Sequence, residues 1–428
     1  MLVLTATMAV GPLLTHSLSA MSPLVIADLE LTETQFGLLA TTTFFVAALT
    51  AVRTGRWADR LSARTLLVVM FGGAALAMLL TAAAPGYAVV LVAMVLSGLG
   101  QVMANPATNR LIRLHVPAAR RASWLGVKQA GVQASQLVAG LTFPALGLLL
   151  GWRTAVLVAV GAVLLLLVHG WWTVPDNQPG APAGLPSRTA PPTTPGSRTP
   201  PAPRARRTPR SWTAALRSRP RRPRPRRRVA RAAARPPMPG VVRAYAAAAA
   251  RTGLGAQAAN VYLPLYAHRE LGLDVVAAGA TVSVSALVGI ASRVLWARVM
   301  DRPRADGFVL LAGMALGAAA SAVLLVLAPL HPGLAWAVWP AAVLHGGAAL
   351  AVSVVVMSAA MRAVPADRVG ASTGVVTMGL YAGFCAGPLV LGGLLQLTGS
   401  FAVGWGVVLV CYLACAVLAG LERARARR

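Results

Sequence analysis

The chain carries a charged stretch, Gly55-Arg56-Trp57-Ala58-Asp59-Arg60, between two long apolar runs. A second copy of this stretch, Ala297-Arg298-Val299-Met300-Asp301-Arg302, follows 242 residues later. The same offset relates Leu29 to Leu271 and Gly37 to Gly279, and an offset of 248 relates Val116-Pro117-Ala118 to Val364-Pro365-Ala366. A repeat sustained over this length indicates that one structural unit has been duplicated along the chain.

The composition is that of a membrane protein. Hydrophobic residues make up 57% of the 428 residues and charged residues only 12%, whereas soluble domains have about 25% charged residues. Twelve apolar runs are long enough to cross the roughly 30 Å hydrocarbon core of a bilayer, six in each copy. They lie at residues 2–27, 34–52, 65–84, 86–109, 122–150, 152–174, 241–266, 275–296, 307–328, 334–358, 369–397 and 400–421.

The number of crossings in each copy determines how the two copies are related. Six crossings return the chain to the side from which it started, so both copies have the same orientation in the membrane. We therefore predict an all-α integral membrane protein with twelve transmembrane helices in two six-helix pseudo-symmetric bundles. The first bundle is predicted at residues 1–174, and the second, which ends in a short basic tail, at residues 240–428.

Arginine residues indicate the orientation. They crowd the predicted loops and ends on one side of the membrane, including Arg293, whereas the opposite loops hold only Arg153 and Arg269. By the positive-inside rule, both termini are expected in the cytoplasm and the protein in the cell membrane.

The segment between the copies differs in composition from both of them. Residues 175–239 hold seventeen of the thirty prolines, and residues 175–243 hold seventeen Arg and one Asp, which is more than half of the net charge of +28. We predict a disordered cytoplasmic linker at 175–239, because nothing in it can form a core. Residues 188–235 are expected to bind anionic lipid headgroups. Nucleic-acid binding is not expected, since the basic run lacks interleaved aromatic residues.

The duplicated stretch resembles the signature loop of the major facilitator superfamily of secondary transporters. The resemblance rests on Gly55 followed four residues later by Asp59-Arg60, with Arg64 beyond, between crossings two and three. Ser62 and Ala63 depart from the family pattern, which has Gly and a basic residue there.

The resemblance implies a monomeric carrier of a small molecule whose halves are latched together at this stretch. The candidate latch residues are Gly55, Arg56, Asp59, Arg60, Arg64, Arg298, Asp301 and Arg302. The alternative is that these arginines only fix the membrane topology.

Polar residues inside the crossings of the first copy are candidates for a solute pathway. Gln101 and Asn105 share one face of crossing four with Thr108, and crossing five carries Lys128, Gln129 and Gln133. Amides in hydrocarbon are costly unless they have partners or water, which favours a cavity. The alternatives are plain interhelical hydrogen bonds and, for the single lysine of the chain, extension of its side chain to the membrane surface.

The second copy has polar residues at corresponding places. Crossing seven carries Gln257 and Asn260, crossing ten carries His345, and Thr377 and Tyr381 of crossing eleven occupy the places of Gln129 and Gln133. His16 lies near the middle of crossing one. A buried histidine is often only an interhelical hydrogen-bond donor, so that interpretation stays open for both histidines.

The distribution of charge favours particular solutes. None of the eleven acidic residues lies near the midpoint of a predicted crossing, so the titratable groups left inside are His16, His345 and Lys128. All three can be positive, which favours a neutral or anionic organic molecule as the solute. If transport is coupled to protons, a histidine is the expected proton site because it titrates in the physiological range.

We therefore predict a secondary active transporter that works by alternating access. One alternative is a drug/proton antiporter, although Met94 and Leu96 are apolar where such family members have an Arg. Another is a non-transporting membrane sensor that uses the basic linker. An enzyme would need paired carboxylates, a metal cluster or a nucleophile beside a base, and no such set lies at membrane depth in the sequence. We expect no enzymatic activity, no cofactor and no metal.

Overall fold

All twelve predicted crossings are helical in the computed structural model, which describes residues 2–174, 238–302, 305–365 and 368–427. The surroundings of Gly55 and the side chains of Arg56 and Asp59 lie outside the described part, as do residues 175–237, which contain almost all of the predicted linker and its predicted lipid-binding residues.

The first half of the protein contains six long helices. They are α1 (Leu2–Ala20), α2 (Glu33–Arg60), α3 (Ala63–Ala82, with a π-helical turn at Val68–Gly72), α4 (Tyr87–His115), α5 (Ala118–Leu150) and α6 (Trp152–Thr173). The first predicted crossing, 2–27, is interrupted at Met21, after which a short helix, Ser22–Asp28, begins. Pro23 at the start of this short helix explains the break, since proline cannot donate a main-chain hydrogen bond to a preceding turn.

The second half repeats this order. Its helices are α7 (Gly240–Arg269), α8 (Val275–Met300), α9 (Gly307–Leu327), α10 (Val338–Gly347 and Val352–Arg362), α11 (Val369–Thr398) and α12 (Phe401–Ala426). Among the described residues, eleven helical segments are long and apolar enough to cross a membrane. The twelfth, α7, is 30 residues long and has most of its surface buried against other helices. This architecture confirms the predicted fold class.

The first charged stretch of the duplication is helical throughout, and the second is helical as far as Met300. The segment from Gly55 to Arg60 forms the last turns of α2, so that only Leu61 and Ser62 link α2 to α3. Arg293, which the sequence suggested as a loop residue, lies inside α8. Apolar composition therefore placed these helix ends too early, because arginine is itself a good helix former.

The charges give the two ends of the bundle different characters. One end, which we call the basic end, carries Arg60, Arg298 and Arg362 at the ends of α2, α8 and α10. The opposite end, which we call the acidic end, carries Glu33 and Asp274 at the starts of α2 and α8. Two helices begin there with side-chain caps. Thr32 and Gln35 form a capping box at α2, and Asp274 accepts two main-chain N–H groups at α8.

The two halves are held together at the acidic end. The Glu33 carboxylate of α2 lies 2.7 Å from Arg269 Nη1 at the end of α7. The Tyr262 hydroxyl of α7 donates to the main-chain carbonyl of Glu33 at 2.6 Å. Glu33 of the first half therefore forms both an ion pair and a hydrogen bond with α7 of the second half.

Toward the membrane centre, three helix pairs continue this contact. Thr41 of α2 donates to Cys385 O of α11 at 2.8 Å, and Ser283 of α8 donates to Leu137 O of α5 at 3.0 Å. Ser19 of α1 donates to Asn260 O of α7 at 2.6 Å. Hydroxyl groups that bond to main-chain carbonyls of a neighbouring helix are typical of close helix packing in membranes.

Within the second half, α7 and α11 pack through a row of glycines. A Cβ atom added at Gly383 would lie 2.1 Å from Ala250 O, and one added at Gly387 would lie 2.2 Å from Leu254 O. The absence of side chains at these positions lets the two backbones touch, as small residues do at membrane helix interfaces.

We predict that Gly383→Ala lowers the melting temperature of the purified protein, because α7 and α11 must separate to admit the methyl group. The expected cost is about 1–3 kcal/mol, typical of overpacking. The matched control is Gly393→Ala on the same helix, where an added Cβ would meet no atom within 4 Å. The control should keep or slightly raise the melting temperature, since alanine favours helix. Equal melting temperatures for both variants would contradict the proposed packing.

Candidate functional site

Asn260 of α7 is the centre of a polar network between the two halves. Its side-chain oxygen, Oδ1, accepts a hydrogen bond from Gln136 Nε2 of α5 at 3.0 Å. The same oxygen lies 3.3 Å from His345 Nε2 of α10. Asn260 Nδ2 lies 3.4 Å from Gln257 Oε1, one helical turn earlier. Because Ser19 of α1 also bonds to the Asn260 main chain, this one residue is contacted from both halves.

The hydrogen-bond partners indicate which ring nitrogen of each buried histidine carries a proton. Ser135 donates its hydroxyl proton to Val132 O at 2.8 Å, so its oxygen accepts from His16 Nδ1 at 2.9 Å. His345 Nε2 faces the Asn260 oxygen, an acceptor, and is therefore the protonated nitrogen of that ring. Each imidazole can thus be neutral with one nitrogen, His16 Nε2 or His345 Nδ1, left as an acceptor.

Several buried polar atoms around the network lack a hydrogen-bond partner. Unpaired buried polar atoms cost about 1–3 kcal/mol each, and in native proteins they call for a water or ligand. Within the described part of the chain they include Thr15 Oγ1, Gln101 Oε1, Gln133 Oε1, Gln136 Oε1 and Gln257 Nε2. Thr15, Gln133, Gln136 and Gln257 belong to helices that meet between the halves, which makes this region a candidate solute site, whereas Gln101 lies on α4 within the first half.

Lys128 is buried rather than extended to the membrane surface. Its side chain is 1% exposed, and its ammonium donates to Asn105 Oδ1 at 3.3 Å, Thr108 Oγ1 at 2.8 Å and Asn109 Oδ1 at 2.6 Å. All three acceptors are neutral oxygens of α4. The polar face predicted on crossing four therefore binds the single lysine of the chain.

Helix α10 is interrupted beside the network. Its first segment ends at Gly347, two residues after His345, and a 3-10 turn at Ala349–Ala351 precedes the second segment. The interruption leaves main-chain carbonyls without helical partners, and α8 supplies replacements. Ser292 donates to Gly346 O at 3.0 Å, Trp296 to Gly347 O at 2.9 Å, and Arg293 to Leu350 O at 3.0 Å.

The remaining pathway candidates lie outside this network. Gln101 of α4 packs on Gly11 of α1, and Gln129 is half-buried. The Thr377 hydroxyl bonds to Thr373 O in its own helix at 2.8 Å. The Tyr381 ring of α11 instead lies 6.4 Å from the Phe44 ring of α2, so it contributes to the contact between the halves.

Two of the latch residues, Arg64 and Asp301, contact their own half. Arg64 Nε lies 3.4 Å from Val174 O, and its guanidinium lies over the Trp171 ring. Asp301 lies 3.9 Å from Arg362 of α10, which also donates to Met300 O. Arg60, Arg298 and Arg302 are exposed. A latch between the halves at Gly55, Arg56 and Asp59 stays a prediction.

A small cavity lies on the acidic side of His16. Its volume is about 10 Å³, which is near the minimum that holds one water molecule. Its lining is mostly apolar: Thr15, Leu18, Ser19, Phe36, Leu39, Ala40, Met94 and Val261. The tight fit here agrees with the contact between the halves at the acidic end.

Several residues of the site were not among the predicted pathway candidates. Gln136 was noticeable as a glutamine on the same stripe as Gln133, and Gly346-Gly347 in the middle of an apolar run signalled a break in α10. Ser19, Ser135 and Arg293 gave no such signal, because serine is common in membrane helices and Arg293 was placed at a helix end.

Two duplicated six-helix bundles with polar residues at their interface are the architecture of a membrane transporter. The chain belongs to the Major Facilitator Superfamily, whose sequence pattern matches residues 3–388. It is a multi-pass membrane protein, and its family identifies it as a transporter of small molecules. A comparison with curated protein sequences finds no match.

Solved structures share the fold at low sequence identity. A bacterial homolog to the human lysosomal transporter Spinster, in an inward-facing and occupied conformation, has a TM-score of 0.66 and 17% identity, covering 99% of this chain and 94% of the other. A mutant of the nucleoside transporter NupG has a TM-score of 0.71 and 11% identity, covering 98% of each chain.

We predict that Asn260→Ala destabilises the protein, because Gln136 and His345 lose the oxygen that they share. Two unpaired buried groups should lower the free energy of unfolding by about 2–4 kcal/mol, measured as a lower melting temperature of the purified protein. The matched control, Thr142→Ala, removes an exposed hydroxyl whose bond stays within α5. If both variants melt at the same temperature, Asn260 does not connect the halves.

Proposed function

We propose that the protein is a secondary active transporter that moves a small neutral or anionic organic solute by alternating access. Residues 1–174 and 240–428 act as two bodies joined by residues 175–239, and they rock about a site near Asn260. The observation that carries this proposal is the network in which Asn260 contacts α1, α5, α7 and α10.

Alternating access places a physical demand on this network. When the acidic end opens, the bonds from Gln136 and Ser19 to Asn260 cross the moving interface and must be replaced. A solute with donors and acceptors can replace them and can satisfy the unpaired amide atoms of Gln133, Gln136 and Gln257. Solute binding would thereby lower the cost of the transition, which is the condition for a ligand to shift a conformational equilibrium.

The charges of the described spans support a neutral or anionic solute. The five ion pairs found among the described residues lie toward the two ends of the bundle, and Lys128 is bonded only to neutral oxygens. A cationic solute would meet a buried ammonium without a carboxylate to offset it.

We also propose how the protein is placed in the cell. The basic end lies in the cytoplasm, with both termini, and the protein works as a monomer in the cell membrane. Residues 188–235 bind anionic headgroups of that membrane, as their arginine content favours. Gly55, Arg56, Asp59, Arg60 and Arg64, with their repeats Arg298, Asp301 and Arg302, stabilise the state closed at the basic end.

Proton coupling is a further part of the proposal. The unprotonated nitrogens, His16 Nε2 and His345 Nδ1, are the titratable acceptors that the network leaves available. A histidine exposed to water titrates near physiological pH, so either ring could take up a proton when the moving halves open it to water.

Counterflow in proteoliposomes tests the function. Vesicles preloaded with an unlabelled candidate should transiently accumulate the same labelled compound, in a panel of organic anions, sugars and drugs. Asn260→Ala should remove the accumulation, and Thr142→Ala should retain it. Accumulation of a cationic drug alone, driven by a proton gradient, would favour multidrug efflux and contradict the proposed solute class.

A thiol crosslink across the acidic end tests alternating access with the same assay. Glu33→Cys with Arg269→Cys should be joined by a short bifunctional thiol reagent, because the native side chains touch. We expect counterflow to stop on crosslinking and to return on reduction, while each single variant stays active. Full activity of the crosslinked protein would show that this end need not open.

Replacement of the histidines separates proton coupling from solute movement. His16→Gln with His345→Gln keeps hydrogen-bonding amides but removes titration. The variant should retain counterflow while gradient-driven accumulation falls to the level reached without a gradient. Unchanged accumulation would exclude both histidines as proton sites.

A further inference from the structure

Helices α5 and α8 lie antiparallel across the interface between the halves, and their register is defined by close contacts. Gly140 faces Gly279 and Ser283, Leu137 O accepts from Ser283, and Gln133 lies beside Gly289. Toward the basic end, residue numbers therefore fall along α5 and rise along α8, and contacting residues lie at equal depth. Lys128 is five residues beyond Gln133 and Arg293 is four beyond Gly289, so both lie about 6–8 Å further at 1.5 Å per residue.

The register therefore brings Lys128 of one half level with Arg293 of the other. The two cations have different surroundings, but neither forms an ion pair with a described carboxylate. Lys128 donates to three neutral oxygens, and Arg293 donates Nη2 to the Leu350 carbonyl at the interruption of α10. Arg293 Nε is enclosed without any hydrogen-bond partner.

Membrane topology does not explain the burial of Lys128, and Arg293 lies inside α8 with a partly buried side chain. An arginine or lysine that only fixes orientation extends to the membrane surface, whereas Lys128 is enclosed by α4. Buried cations without counter-ions are costly in hydrocarbon and mark functional sites.

We propose that the transported solute carries an oxyanion, a carboxylate or a phosphate, that binds between Lys128 and Arg293. This inference rests on the proposed transport function and assigns the class of its solute. Asn105 and Asn109 hold the ammonium until the anion replaces one of their oxygens. An ionised acceptor bonds to ammonium more strongly than a neutral amide does.

The arrangement also connects solute binding to closure of the basic end. As the halves approach there, two like charges at the same depth repel each other in a medium of low dielectric constant. An oxyanion between them turns this repulsion into two attractions. The loaded carrier therefore closes at the basic end more readily than the empty one.

A thermal-shift experiment with fractionated metabolites tests the solute class directly. The probe is the water-soluble small-molecule fraction of a cell extract, divided by anion exchange into retained and unretained pools that are adjusted to equal conductivity. The retained pool should raise the melting temperature of the full-length protein, and the unretained pool should not. Stabilisation is expected because a ligand that binds only the folded state raises its stability.

Four variants connect the shift to the two cations. Lys128→Gln and Arg293→Gln keep hydrogen-bond donors but lose charge, so each should need at least about tenfold more of the retained pool for a half-maximal shift. Lys128→Arg keeps the charge and should retain most of the response, even if the glutamine variants fold poorly. Arg243→Gln removes an exposed charge at the start of α7 and should respond like the wild type.

The possible results distinguish an error in the solute class from an error in the transport function. Treatment of the retained pool with phosphatase distinguishes the two oxyanions: loss of the shift indicates a phosphate ester, and persistence indicates a carboxylate. A shift from the unretained pool alone, or an equal response of the glutamine variants, would overturn the oxyanion site while leaving transport intact. No shift from either pool would count against the proposed transport function itself.

Discussion

The arrangement of the two halves depends on a partly buried amide, that of Asn260, which is shared between them. Asn260 Oδ1 accepts a hydrogen bond from Gln136 Nε2 of the first half, and it lies 3.3 Å from His345 Nε2 of the second half. In water these groups would have many partners, but between membrane helices each can be satisfied only by another side chain, by an enclosed water or by a solute. A site with several side-chain amides close together selects solutes that supply the missing hydrogen-bond partners.

The geometry around Asn260 follows from packing at either side of it. Toward the acidic end, α2 lies against α11 and α5 against α8, with the Glu33 to Arg269 ion pair at the edge. Toward the second half, the interruption of α10 after Gly347 places His345 at a helix end, and three side chains of α8 donate hydrogen bonds to the freed carbonyls. A short, well-capped interruption is a place where a helix can bend without loss of main-chain hydrogen bonds, which suits a part that moves.

Much of the fold could be predicted from the sequence because membrane physics leaves few choices. Long apolar runs must become helices, and an even number of crossings in each copy determines the relation of the copies. Helix ends were harder to predict: α2 and α8 continue through Arg56 and Arg298, since the bilayer boundary does not require a helix to end.

The site was only partly predictable. Polar residues inside apolar crossings made Gln133 and Asn260 candidates for the solute pathway, but the partners of Asn260 depend on how α5, α7 and α10 approach each other, and this tertiary information is absent from any single helix. Lys128 illustrates the same limit, because the sequence left surface extension and burial open, and the α4 oxygens favour burial.

The central claim is that the Asn260 network lines a path that is open to water from one side at a time. Its most direct test is the reactivity of a cysteine at position 136 toward a membrane-impermeant thiol reagent, added to one side or the other of sealed vesicles. The background would replace Cys385, Cys411 and Cys415 by alanine, and Val138→Cys, exposed on the same helix, would report a position facing lipid. The account predicts that Gln136→Cys reacts from both sides, in proportion to the conformations sampled, whereas Val138→Cys reacts from neither. Failure of Gln136→Cys to react from either side would mean that the network is a dry structural core, and the transport account would be contradicted.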